Sequence, residues 1–266
     1  MTSPCEHWAF PTARLGQRAH VYESLASTND TATPLAADPA NAGLVVVARH
    51  QTAGRGTHGR AWASRPDSSL LMSLVVAPPL ALRRPVVLTA WVAVAFADAV
   101  RELTGQTPRI KWPNDLFVGG RKLCGILIEQ SAAVVVGLGL NLTQSADDFH
   151  AAGLPDATSL AMLTPDAEPR PLREVLGVVL THLDRRYGQL LGGDLGEVEA
   201  AWRAGSRLVG RRVALETADG LVVPGHLRSL SFDAVELDCG EVVPQVWPPE
   251  RVRGLRPLDD PGVKAR

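Results

Sequence analysis

Gln51-Thr52-Ala53-Gly54-Arg55-Gly56-Thr57-His58-Gly59-Arg60-Ala61-Trp62 is the segment of this sequence best suited to chemistry. Its glycines free the backbone to turn and to approach a ligand closely, and the exposed N–H groups can form a concave anion nest. Arg55 and Arg60 add planar, permanently charged donors that match carboxylate and phosphate. The loop has no core to build. It predicts an anionic ligand, held in a wrap that orders around it, and by itself names no reaction.

Three further segments carry polar groups at positions where a fold rarely needs them. In Lys111-Trp112-Pro113-Asn114-Asp115, the proline keeps Trp112 out of a helix. Lys111 can then neutralise phosphate, Asn114 can donate to and accept from an adenine edge or ribose, and Asp115 can orient a lysine or accompany a metal ion. Pro-Asn-Asp is also an ordinary turn. Lys122 opens the apolar run Leu123 to Glu129, and Gly125 inside that run signals a bulge or the close approach of a ligand. A lysine beside such a gap can pair with a substrate carboxylate. Val136-Gly137-Leu138-Gly139-Leu140-Asn141 suits a strand with a ligand packed on its glycine face and a side-chain amide at its end.

The elements that must position these groups alternate in period. Val21 to Ser24, the apolar run Leu44 to Arg49, and Ser69 to Ala77 read as strands. Ser27, Thr28 and Asn29 offer groups able to cap a helix running to Ala37. Pro85 to Leu103 reads as a long buried helix ended by Gly105. Arg109 to Trp112 is a short strand. Leu116 to Lys122 is a hairpin with a glycine turn, and Leu123 to Gln130 pairs with Ala133 to Leu140. Residues 143–170 read as loop with short helix. Leu172 to Leu191 has the apolar spacing of an amphipathic helix, with a second at Leu195 to Ala204. From Arg211 to Arg256, short β runs at 212–217, 221–230, 234–238 and 242–247 alternate with turn residues, which predicts a small all-β barrel. The expected division is a loose lead-in at 1–20, a main domain at 21–205, a barrel at 206–258 and a tail at 259–266.

Bulk properties bound the answer. The chain has 266 residues, 45% of them hydrophobic, and a net charge of −1. A substantial core follows, and the global basic field of a nucleic-acid binder is missing. Cys5, Cys124 and Cys239 lie far apart, without zinc spacing or a disulfide framework, which fits a reducing cytoplasm. The first 20 residues lack the apolar region of a secretory signal. The longest apolar run, Val86 to Ala97, falls short of the ~20 residues of a membrane span.

Taken together, Q-x-x-G-R-G-x-x-G-R-x-W, K-W-P-N-D, K-L-x-G-I-L-x-E and G-x-G-x-N occur here in the order found in bacterial biotin–protein ligases, and Ser27-Thr28-Asn29 matches an upstream S-T-N. The sequence resembles that family over residues 22–256. The resemblance implies an α+β fold: a class II aminoacyl-tRNA synthetase-like mixed sheet with helices, followed by an SH3-like barrel. It implies two half-reactions. Biotin and ATP, with Mg²⁺, give biotinyl-5′-AMP and pyrophosphate; the adenylate then acylates one lysine of a biotin carboxyl carrier protein domain.

By that resemblance Ser27, Thr28, Asn29, Gln51, Gly54, Arg55, Gly56, Thr57, Lys122 and Gly125 bind biotin. Arg60, Trp62, Lys111, Asn114 and Asn141 serve the nucleotide, with Trp62 packed on adenine. Lys122, Arg55 and Arg60 are the catalytic cations, and Mg²⁺ arrives with ATP, near Asp115 if near any side chain. Three departures stand out. The family's loop usually carries a third arginine where this chain has Thr57, so the expectation is an adenylate that leaks more readily. His58 occupies a variable position and is expected to be a solvated group. The short lead-in leaves no room for the winged helix of ligases that double as repressors, so a monofunctional, cytoplasmic enzyme is expected, with no DNA or membrane partner and a homodimer left open. A lipoate–protein ligase and a non-catalytic biotin or nucleotide sensor are the rival readings.

Overall fold

The computed structural model describes residues 3–131 and 133–258, the side chain of His58 excepted. The expected tail at 259–266 lies outside them. An eight-stranded mixed sheet forms the body. Its strands are β1 (Glu6–Ala9), β2 (Arg18–Leu25), β3 (Val45–Gln51), β4 (Ser69–Val76), β5 (Arg109–Lys111), β6 (Asp115–Val118), β7 (Arg121–Gln130) and β8 (Val134–Asn141), in the order β1-β2-β3-β4-β8-β7-β6-β5. β2 and β3 run parallel, and the other pairs are antiparallel. β4 and β8 are buried along their whole length. That is why they read as nearly unbroken apolar runs rather than as alternation.

Strand periodicity sorts the core into two layers. Val45 and Val47 of β3, with Leu70, Met72 and Leu74 of β4, face the main cluster. Val46, Ala48 and Val75 face a smaller cluster with Ala32 and Ala36. The main layer is covered by α2 (Pro85–Thr104) and α5 (Leu172–Leu191), and the smaller one by α1 (Thr28–Leu35). α2 begins with proline at its first position and ends on Gly105 at φ 71°, the left-handed cap that glycine adopts without strain. α5 buries Val175, Leu176, Val179, Leu180, Leu183, Tyr187 and Leu190, the stripe its spacing predicts. Residues 143–170 hold α3 (Ala146–Ala151) and α4 (Leu160–Leu163), and α6 (Leu195–Ser206) follows α5.

Residues 1–20 are not the loose lead-in expected. β1 completes one edge of the sheet by pairing with β2. The buried carboxylate of Asp184 on α5 accepts the backbone N–H groups of Ala13, Arg14 and Leu15 at 2.9, 2.8 and 2.8 Å. A charged residue inside an otherwise apolar helix face supplied the partner this segment needed.

A five-stranded antiparallel sheet closes the chain, in the order β12-β11-β10-β9-β13. Its strands are β9 (Arg212–Thr217), β10 (Val222–Leu230), β11 (Val235–Asp238), β12 (Gln245–Trp247) and β13 (Val252–Pro257). The whole is the α+β architecture the sequence implied, with a small sheet consistent with an SH3-like barrel. β13 was not among the expected strands; Arg253, Gly254, Arg256 and Pro257 mask its alternation. Trp112 ties the two sheets together. Its indole N–H donates to Val252 O at 3.0 Å, and its ring meets Trp202, which in turn meets Phe232, at centroid distances of 5.4 and 5.6 Å. Among the described residues, no helix is long and apolar enough to cross a membrane.

Candidate active site

A cleft opens where the N-terminus of α1, the end of β3 and the middles of β7 and β8 meet under the Gly/Arg loop. Ser27, Thr28, Asn29, Gln51, Arg55, Gly56, Thr57, Trp62, Asn114, Asp115, Lys122 and Gly125 all line it. Segments far apart in sequence thus converge on one cleft.

One end of the cleft is neutral and polar. Gln51 Oε1 accepts from the Thr28 N–H at 2.7 Å and from the Thr28 hydroxyl at 3.0 Å. That orientation turns the Gln51 Nε2 donor away from Thr28. Ser27 stands at the N-cap of α1, but its side chain makes no capping bond; it faces the cleft instead. Asn29 is buried, with Nδ2 donating to Glu129 at 2.7 Å and Oδ1 accepting from the Ser73 hydroxyl at 2.5 Å.

The other end is cationic. Lys122 Nζ lies 2.7 Å from Asp115 Oδ1. Lys111 stands outside the cleft lining, its ammonium 4.7 Å from the Phe117 ring centre. Partial desolvation lowers the Lys111 pKa from its ordinary value; Asp115 opposes this, while Lys122, Arg60 and Arg109 add to it. Lys111 as a residue is exposed to solvent, so the lowering comes from what surrounds the ammonium rather than from deep burial. Clustered like charges of this kind attract a polyanion. Burial in the core pushes the Cys124 thiol far up, which makes it an inert group.

The loop between the two ends folds on itself. Trp62 N donates to Gly54 O at 2.9 Å and Gly56 N to Arg60 O at 2.7 Å, Arg55 and Ala61 form a β-bridge, and Thr57–Gly59 make a single tight turn. Its own backbone bonds thus shape the segment that was expected to order around a ligand. The Arg55 guanidinium is held by Asp30 at 2.5 Å and by Glu129 at 3.2 Å.

The glycine face of β8 also departs from expectation. A Cβ on Gly139 would lie 2.4 Å from the Trp62 indole, one on Gly125 2.9 Å from it, and one on Gly137 2.3 Å from Asn29 Oδ1. The glycines therefore admit protein side chains, and the ligand is left with what those side chains present. Trp62 Nε1 is buried with no hydrogen-bond partner, a donor that gains most from a ligand acceptor.

Some expected residues stand elsewhere. Asn141 lies at the end of β8, outside the cleft wall; its Nδ2 donates to Thr158 O at 2.9 Å and so anchors the 143–158 connection. Asn114 borders the cleft, but its amide donates to Ile126 O at 2.7 Å, which fixes the corner against β7. Arg60 is exposed on the loop, on the side of Lys111. The expectation for His58 falls on a side chain outside the described residues. Ser73, Asp30 and Glu129 were missed. A lone serine in Leu70-Leu71-Met72-Ser73-Leu74-Val75 was the available signal for the first, and the acidic ends of two motifs were the signal for the others.

The mixed sheet thus carries a cleft with neutral polar groups at one end and Lys122 at the other. Comparison with known proteins gives the class. Residues 21–141 match the model of the biotin/lipoate A/B protein ligase family. The biotin–[acetyl-CoA-carboxylase] ligase of Mycobacterium tuberculosis is 36% identical over 196 residues, covering 71% of this chain and 70% of that protein. The bifunctional ligase/repressor BirA of Bacillus subtilis is 32% identical over 215 residues, covering 79% of this chain and 66% of that protein. The biotin protein ligase of Aquifex aeolicus in complex with biotin and ATP superposes with a TM-score of 0.75 at 24% identity, over 90% of this chain and 98% of that one. The chain belongs to the biotin/lipoate A/B protein ligase family.

Proposed function

We propose that the protein is an ATP-dependent biotin–protein ligase. In the first step the biotin carboxylate attacks the α-phosphorus of ATP, and pyrophosphate leaves. In the second, a lysine amine of a biotin carboxyl carrier protein domain attacks the acyl carbon of biotinyl-5′-AMP, and AMP leaves as the amide forms. The supporting observation is that one cleft joins a neutral hydroxyl-and-amide end to a cationic end. The first suits an uncharged ureido ring, the second a carboxylate and phosphates.

The chemistry needs no side-chain nucleophile, because the substrates supply both attacking groups. It needs two anions brought into line and their charge neutralised. In this reading Thr28, Asn29 and Gln51 orient the ureido ring, with Ser27 beside them. Lys122 leaves Asp115 for the carboxylate and the bridging oxygen, which makes it the main electrostatic catalyst. Lys111 and Arg60 hold phosphates. Arg55, with Gly54, Gly56 and Thr57, closes the cleft over the acyl chain. Trp62 stays beside the nucleotide base and offers its indole N–H. Asn114 and Asn141 act on the nucleotide side by fixing the corner and the connection around it.

Among the described residues, no three His, Cys, Asp or Glu side chains gather to hold a metal ion, and Asp115 is engaged by Lys122. The described residues do not build a magnesium site of their own; Mg²⁺ would be brought in by ATP. We assign the catalytic unit to residues 21–205 and the barrel to 206–258, and the reaction to the cytoplasm, on the three free cysteines.

Mass spectrometry of a carrier domain incubated with biotin, Mg-ATP and the protein tests the proposal. One added biotin, absent with Lys122→Ala, is the expected result. An unmodified carrier overturns it, and preferential transfer of lipoate in a competition would move the activity to the family's lipoate branch. A sensor without turnover would release no pyrophosphate.

A further inference from the structure

Six side chains from five separate segments form one unbroken polar chain behind the cleft: Arg55 of the loop, Glu129 of β7, Asn29 and Thr28 of α1, Ser73 of β4 and Gln51 of β3. Two of these, Ser73 and Glu129, carry no part in the reaction proposed above. Ser73 is fully buried in the central sheet. Glu129 is partly exposed and makes close contacts with both Arg55, at 3.2 Å, and Asn29, at 2.7 Å.

Proton bookkeeping fixes the direction of the chain. A carboxylate paired with an arginine has only acceptors to offer. The Asn29 group facing Glu129 must therefore be its NH₂, which leaves Oδ1 toward Ser73. The single Ser73 proton then goes to Asn29 Oδ1, at 2.5 Å. The Thr28 hydroxyl, 2.8 Å from Ser73 Oγ and 3.0 Å from Gln51 Oε1, has acceptors on both sides. Its proton goes to Gln51 Oε1, so Thr28 has only lone-pair character left to offer the cleft. Gln51, its oxygen held by the Thr28 N–H, presents NH₂. The cleft thus offers one acceptor and one donor side by side, the complement of an N–H next to a C=O.

We infer that Glu129 and Ser73 are positioning residues: through Asn29 they hold the donor and acceptor pattern that reads the cyclic urea, and through Arg55 Glu129 ties that pattern to closure of the loop. The inference rests on the ligase reading and adds to it a coupling between recognition and closure. Ser73 serves the recognition arm alone, and Glu129 serves both arms. Gly137 is part of the device, since any side chain there would strike Asn29.

Three variants separate the arms. Glu129→Gln can still accept from Asn29 but loses one of the two charges that hold Arg55, the other being Asp30. Ser73→Ala breaks recognition and leaves Arg55 in place. Glu129→Ala breaks both. Biotin binding is read by calorimetry, adenylate retention by the rate at which preformed biotinyl-5′-AMP leaves, and folding by the melting temperature. Ser73→Ala and Glu129→Ala should weaken biotin binding about tenfold or more, the loss expected of a bond in a buried network. Glu129→Gln should bind biotin within about threefold of wild type, yet release the adenylate about tenfold faster. If wild type binds no biotin, the ligase reading falls and takes this inference with it. If wild type binds and Glu129→Ala binds equally well, the inference alone is overturned. It is also overturned if Glu129→Gln and Glu129→Ala match in both readouts and track the melting temperature, because a merely structural role predicts that.

Discussion

Gly139→Ala is the sharpest test of how the cleft is built. Gly139 lies at the middle of β8 between Gly125 of β7 and Leu71 of β4. Its φ is not positive, so alanine suits the backbone and contributes about 0.5–1 kcal/mol by reducing the freedom of the unfolded chain. Against that, the new Cβ would sit 2.4–2.8 Å from three atoms of the Trp62 indole. The strand is clamped on both sides and cannot retreat, whereas Trp62 sits at the foot of a partly exposed loop. The ring must lift. Overpacking typically costs about 1–3 kcal/mol, so the net destabilisation is at most about 2.5 kcal/mol, or a fall of up to about 10 °C in melting temperature for a chain of this size. The effect on catalysis should be larger. Lys122 lies 5.7 Å from the same indole, and a shift of about 1 Å in such a constellation costs about a hundredfold in rate. Biotin-dependent pyrophosphate release measured beside calorimetric melting should show a folded protein with a roughly hundredfold lower kcat/KM. Because the clash needs both partners, adding Gly139→Ala to Trp62→Ala should cost little more, a strongly non-additive cycle. A Gly139→Ala protein with kcat/KM within about threefold of wild type, or an additive cycle, would refute the seating of the indole on the glycine strip.

Four other outcomes follow from the same geometry. Asp184→Ala removes the acceptor of three backbone N–H groups and should lower stability by about 2–4 kcal/mol, seen as an earlier denaturant midpoint with unchanged adenylation per folded molecule. The Lys111 pKa is lowered, chiefly by partial desolvation, and phosphate binds the protonated form. The KM for ATP should therefore rise with increasing pH through a range below that of an ordinary lysine, and Lys111→Arg should flatten the profile. In the free protein the same lowering disfavours the charged ammonium, so losing its proton at high pH relieves the fold instead of weakening it. Thr57→Arg should slow escape of biotinyl-5′-AMP by about tenfold through an added charge-assisted contact, measured by trapping the free adenylate; equal retention by both proteins removes the proposal that Thr57 makes the cleft leaky.

The elements were legible wherever local periodicity and tertiary need agreed. The bounds of α5 (Leu172–Leu191) and β9 (Arg212–Thr217) could be read from apolar spacing and flanking turn residues. They fail where a distant partner decides. β1 is short and polar, and exists because β2 offers it an edge. β13 alternates only weakly and is held by its pairing with β9. In the cleft the order of motifs named most of the wall, since each motif holds its residues on one element. The groups reached only through space stayed hidden. Asn141 looked like a free amide at a strand end, and Thr158, seventeen residues further on, engages it. Ser73 looked like a polar lapse in an apolar strand; its partners come from α1, forty-five and forty-four residues before it.

The three glycines explain why recognition and closure are built as one unit. A flat, fully buried strand such as β8 would normally present side chains to a ligand, and flexible ones would blur the pattern offered. Glycine at 125, 137 and 139 removes that layer and lets the rigid groups of other elements, the Asn29 amide and the Trp62 indole, lie directly on the backbone. Asn29 is then held by Ser73 and Glu129 from other elements, and Trp62 by its backbone bond to Gly54 within its own loop. A cleft assembled this way loses little conformational freedom when a ligand enters, the condition for tight binding without a large interface. The cost falls on the Trp62 N–H, a buried donor without a hydrogen-bond partner.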